Sequence, residues 1–123
     1  MKNRHVPLVI AGLLAAYLFV HAVVAAFGLY WAQIAGLSLA PFASLFFGFA
    51  ALAGLCLAAA IGFWQYQPWA VRVWAAASLS IFAAVGLGVS LFGVSWSEYL
   101  FEIGTVLVSW PYVVRLQREA YAG

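Results

Sequence analysis

No aspartate occurs anywhere in this chain, and the acidic residues number three in all. Without an aspartate, none of the serines can be placed in a Ser-His-Asp relay, and no other nucleophile with a nearby base is evident. Cys56 is the single cysteine, which excludes an intrachain disulfide and any Cys-x-x-Cys redox or metal motif. No lysine follows any glycine-rich stretch, so a phosphate-cradling loop is absent. No basic run of five or more appears and the formal charge is only +2, which argues against nucleic acid as a partner. Charged residues make up 7% of the chain, against about 25% in ordinary soluble domains. So few charges cannot coat a soluble globule; the lipid bilayer must be the main partner of the surface.

What is present is four apolar runs, Val6–Ala32, Leu39–Trp64, Val73–Phe92 and Tyr99–Val114. A helix rising 1.5 Å per residue needs roughly 20 mostly apolar residues to cross a hydrocarbon core of about 30 Å. Three runs meet that length, and the fourth meets it when Ser95–Glu98 and Pro111–Leu116 are included. The sequence therefore predicts an all-α integral membrane protein: one domain over residues 1–123, with spans at about 6–31, 40–64, 69–92 and 96–114 in an up-down four-helix bundle. The first run exceeds the 7–15 residues of a secretory h-region and carries His21, so it is read as a retained span.

Orientation follows from the basic residues, which cytoplasmic connectors retain. Lys2 and Arg4 precede helix 1, Arg72 lies beside the second connector, and Arg115 and Arg118 follow helix 4. An up-down path puts all five on one side, so both termini are expected in the cytoplasm, as in a multi-pass protein of the cell inner membrane. Tyr30, Trp31, Trp64, Tyr66, Trp69, Trp96 and Tyr99 fall near the ends of the runs, where amphipathic rings prefer the headgroup level. Pro68 and Pro41 suit helix starts, with Ser38 as the cap of helix 2. Pro111 is expected to kink or end helix 4.

Small residues recur every fourth position on helix 2 (Ala50, Gly54, Ala58, Gly62) and on helix 3 (Ala76, Ser80, Ala84, Gly88). Close approach through small side chains drives helix association in lipid. The stripes predict a tight hairpin in which Gly54 and Ala58 meet Ser80 and Ala84; the alternative is an interface between copies of the chain.

Helix 4 carries Glu98, Glu102, Thr105 and Ser109 on one face. Glu98 is expected near water. Glu102 lies about 9 Å below Trp96 by helical rise, where a charge costs about 2.5–3.5 kcal/mol on insertion scales. It must face the protein interior, a cavity or a partner. His21 sits near mid-depth of helix 1, one turn beyond Tyr17, and antiparallel packing of helices 1 and 4 would bring it within about 6 Å of Glu102 in height. Intramembrane ionisable groups point to proton relays or ligand sites; the structural alternative is a neutral imidazole bonded to Tyr17, a serine or a carbonyl. His5 and His21 are about 24 Å apart on one helix and cannot share a metal or haem, and Glu98 with Glu102 makes a weak metal signal. No cofactor is expected.

In size and helix count the chain is similar to small multidrug-resistance transporters and to fluoride channels. Those transporters keep a glutamate in helix 1, where this chain has none. The expectation is a non-enzymatic membrane protein acting through helix packing, as an accessory subunit of another membrane protein or by self-association. The alternatives are a minimal proton-linked transporter using Glu102 and His21 and, more weakly, a haem or redox protein.

Overall fold

The computed structural model describes residues 5–65 and 67–118, all helix and short connectors with no strand among them. Lys2, Arg4 and Tyr66 lie outside the described residues. In order, the elements are α1 (His5–Ala35), α2 (Ala40–Trp64), α3 (Trp69–Phe92), a 3₁₀ turn (Trp96–Tyr99) and α4 (Leu100–Leu116). The first three are long and apolar enough to cross a membrane, which makes the chain a multi-pass membrane protein. Consecutive helices pack on each other and α1 also packs on α4, with α1–α2 the most extensive interface. Side chains that would be stranded in water, such as Phe19, Phe47 and Leu79, are exposed here. In a bilayer they face lipid tails.

Local chemistry sets the helix ends. Gly36 adopts φ +71, a left-handed conformation that favours glycine. This lets Leu37 N–H return to Ala32 O at 2.9 Å and closes α1. Gly93, with φ +66, ends α3 in the same way, and Val94 N–H reaches Gly88 O at 3.2 Å. Ser38 is not the cap expected of it: the N-cap of α2 is Leu39, with no side-chain bond. Pro41 follows in the first turn and has no N–H to satisfy, which lessens the need for a cap. Pro68 stands just before the first residue of α3 as its N-cap. Nor does Pro111 end α4, which continues to Leu116. Helices in lipid tolerate proline where neighbouring groups take up the freed carbonyl.

The buried core runs through all four helices, from Leu14 and Leu18 through Cys56 and Phe63 to Trp74, Ile81, Val106, Val113 and Leu116. α2 and α3 approach each other closely beside their connector. A Cβ built on Gly62 would stand 2.6 Å from the Ala70 Cβ and 3.0 Å from the Trp69 ring. Gly54, expected to carry that contact, has nothing within 4 Å of the same position, and Ala84 is exposed. The expected meeting of Gly54 with Ala84 is therefore corrected to Gly62 with Ala70. Ala58 and Ser80 are half-buried. Gly88 packs against the Tyr99 hydroxyl, which ties the end of α3 to the 3₁₀ turn.

Candidate functional site

The polar face of α4 divides into a satisfied half and an unsatisfied one. Ser109 is fully buried; its hydroxyl donates to Val106 O at 2.6 Å and accepts from Trp74 Nε1 at 2.9 Å. The neighbouring Trp110 Nε1 donates back across the interface to Ser78 Oγ at 3.2 Å, and Ser78 Oγ donates to Trp74 O at 2.8 Å. Two tryptophan–serine bonds, one in each direction, thus clasp α3 to α4. Ser109 belongs to this clasp and not to a site. Its partner is 35 residues away in sequence, so spacing along helix 4 gave no sign of it. Trp74 and Trp110 were missed for a related reason: tryptophans invite an interface reading, yet both sit well inside their helices.

Thr105 is turned back on its own helix, donating to Phe101 O at 2.7 Å and Glu102 O at 3.1 Å. Glu98 is exposed within the 3₁₀ turn.

Glu102 is different. It is 8% exposed, and its Oε2 is buried with no hydrogen-bond partner. The Tyr17 phenol of α1 lies within hydrogen-bonding reach of the Glu102 carboxyl. Tyr17 also packs its ring on Phe101, with centroids 4.6 Å apart. This contact sets the depth. Tyr17 is about 18 Å along α1 from His5, and Glu102 about 21 Å along α4 from Leu116. The carboxyl therefore lies near the mid-height of α1, deeper than its distance from Trp96 suggested.

His21 does not pair with Glu102; Tyr17 links the two. His21 Nδ1 lies 2.9 Å from Tyr17 O. A carbonyl only accepts, so Nδ1 carries the proton, and in the neutral ring Nε2 is left as an acceptor. The ring packs against Tyr17 at 4.3 Å and Phe49 at 5.3 Å between centroids. The imidazole thus takes the structural alternative at one nitrogen while Nε2 has no hydrogen-bond partner among the described residues.

Beside Glu102 lies a half-open cleft of about 580 Å³. The amino-terminal half of α2 (Ser44, Gly48, Phe49) and the carboxy-terminal half of α3 (Ile81, Ala84) form its walls; Glu102 is the one α4 residue to border it. The volume falls within the range of about 300–1,000 Å³ typical of small-molecule sites, which are mostly apolar with a few polar groups. Tyr99 and Ser38 add hydroxyls at its edge. A second, open groove of about 970 Å³ runs between α1 and α2, bordered by Gly12, Ala16, Ala50 and Gly54 and by the rings of Phe19 and Phe27. It contains no ionisable side chain other than the Tyr30 phenol. Among the described residues no three His, Cys, Asp or Glu side chains gather as a metal site would require.

Compared with protein-family models, curated proteins and solved structures, the chain matches none.

Proposed function

We propose that this chain is a minimal proton-linked carrier of the cell inner membrane, with Glu102 as its working carboxyl and Tyr17 and His21 as the groups that position it. The observation that carries the reading is the buried, unpartnered Oε2 of Glu102, a side chain that borders a cleft of small-molecule size. A buried polar group left without a partner costs about 1–3 kcal/mol, more when charged. Such groups mark places where something else binds or a proton moves. Tyr17 and the His21 imidazole on its carbonyl extend the polar path from the carboxyl.

The carrier is placed in the membrane as four spans in an up-down bundle, both termini cytoplasmic. Five basic residues on one side support that orientation. α4 itself rises about 25 Å, and the 3₁₀ turn ahead of it adds about 8 Å, enough together for a core of about 30 Å. Reporter fusions after Gln33 and Gln67 are expected to report opposite compartments; the same compartment for both would overturn the topology.

The carboxyl is tested by infrared difference spectroscopy over a broad pH range on the purified protein in lipid. A carboxyl band that changes with pH in the wild type and vanishes in Glu102→Gln supports the proton-linked reading. A difference spectrum unaltered by Glu102→Gln overturns it.

A second reading, an accessory subunit or homo-oligomer acting through helix packing, draws on the open α1–α2 groove, where Gly12 and Gly54 leave room for another helix. Stoichiometric co-purification from native membrane, lost in Gly54→Leu, would favour it over the carrier.

A further inference from the structure

The end of the bundle where α3 begins and α4 stops carries positive charge with little set against it. Trp74 of α3 meets Ser109 of α4 at 2.9 Å, while Gly88 packs on Tyr99 at the other end. The two helices therefore run in opposite directions, and heights along them can be compared. Counted from the Trp74–Ser109 level toward that end, Arg72 stands at about 3 Å, Trp69 at about 7.5 Å, Arg115 at about 9 Å and Arg118 at about 13.5 Å. Trp69 is exposed and marks the headgroup level. Helical side chains lean toward the N-terminus of their own helix, which is toward the headgroups for Arg72 and toward the bilayer centre for Arg115. The second lean is seen directly: the Arg115 guanidinium lies 6.0 Å from the centre of the Tyr112 ring, a turn back along α4. Two guanidiniums whose backbones differ by about 6 Å in height are thus both drawn toward the level of Trp69.

Arg72, Arg115 and Arg118 are exposed, and none forms an ion pair with another described residue. The described acids lie elsewhere, Glu98 in the 3₁₀ turn at the opposite end and Glu102 buried at mid-height. Against the five basic residues of the sequence at this end stands one acid, Glu119, which lies outside the described residues. Four of those five are arginines. A guanidinium is a planar fork that holds a phosphate through two parallel hydrogen bonds, where a lysine acts as a point charge.

We propose that this end of the bundle binds anionic phospholipid, with Arg72 on α3 and Arg115 on α4 as the groups that hold its phosphate. Every phospholipid brings a phosphate to this level, but a zwitterionic one carries its own cation beside it. Only the anionic lipid offers a phosphate that the unpaired arginines can neutralise, and basic residues at the membrane surface attract it for that reason. Arg118 stands about 4.5 Å further from the core and serves as an internal control of equal charge. The surface is separate from Glu102 and does not depend on the carrier reading or on which compartment the termini face.

The test is native mass spectrometry of the full chain in mild detergent, titrated with phosphatidylglycerol or with phosphatidylcholine of the same acyl chains. The dissociation constant of the first bound lipid is read for each. Phosphatidylglycerol is expected to bind the wild type at least about fivefold more tightly, the effect of one basic residue at the headgroup level. Arg72→Gln and Arg115→Gln should each weaken phosphatidylglycerol about fivefold and leave phosphatidylcholine unchanged. Arg118→Gln should weaken it by less than about twofold, because its charge stands further out and is screened by salt. Thermal melts check that the variants are folded; should one unfold, the wild-type comparison of the two lipids decides by itself. Equal binding of the two lipids, or the same loss in all three variants, would overturn the assignment, the latter by showing an effect of net charge alone. Glycerol phosphate or a short polyglutamate displacing the lipid at equal concentration would overturn it in favour of a soluble phosphate ester or an acidic protein segment.

Discussion

At the connector end of the α2–α3 hairpin, Gly62 lies against Ala70, and Trp74 is sealed between Phe63 and Ser109. At the other end of the same two helices, Ser44, Gly48 and Ala84 border open space, and the Glu102 beneath them has an oxygen with no partner. Both ends are made of small and apolar residues with a few hydroxyls, and composition does not distinguish them. What separates them is where the polar groups go. In the closed half every indole and hydroxyl of the α3–α4 contact finds its mate, as a structural role requires. In the open half a carboxyl is left over.

If that contrast is right, the largest effect comes from emptying the closed half. Trp74→Ala should lower stability by about 3–5 kcal/mol, read as a fall in the melting temperature in mild detergent. Next is Gly62→Ala, whose methyl has no room beside Ala70; overpacking of this kind costs about 1–3 kcal/mol. Gly54→Leu, on the open groove, should stay within about 0.5 kcal/mol in the same assay. Equal melting temperatures for the Gly62 and Gly54 variants would break the comparison. A smaller effect isolates the clasp. A double-mutant cycle between Trp74→Phe and Ser109→Ala should return a coupling of about 0.5–2 kcal/mol, the range of interhelical hydrogen bonds in lipid. Smallest of all is Glu102→Gln, expected to shift stability by less than about 0.5 kcal/mol because the amide can still accept from Tyr17. Glu102→Leu should be worse, since it leaves the Tyr17 phenol without its acceptor.

The apolar runs made the helices legible, because length is a local property; the left-handed ends at Gly36 and Gly93 appeared only in the structure. The pairing of α2 with α3 was legible only in outline. In alanine-rich helices small residues lie on every face, so a four-residue spacing does not say which face meets which neighbour, and Gly54 looks no different from Gly62. The link of α1 to α4 near Glu102 was readable from helical rise and opposed direction. Tyr17 as its direct partner was not, since one turn of helix separates it from His21 and height arithmetic cannot choose between them. Ser109 shared a stripe with Glu102 but was committed elsewhere by a tryptophan on another helix.

The unequal lengths of α1 and α4 have a bearing on the lipid itself. α1 has 31 residues and rises about 46 Å, while α4 has 17 and rises about 25 Å. No flat bilayer of one thickness matches both. Lipid alongside α1 must stretch, or that helix must lean or reach past the headgroups, while α4 needs the 3₁₀ turn ahead of it to match a core of about 30 Å; mismatch costs fractions of a kcal/mol per Å. The larger mismatch with a flat bilayer thus belongs to α1, the helix that packs on both α2 and α4.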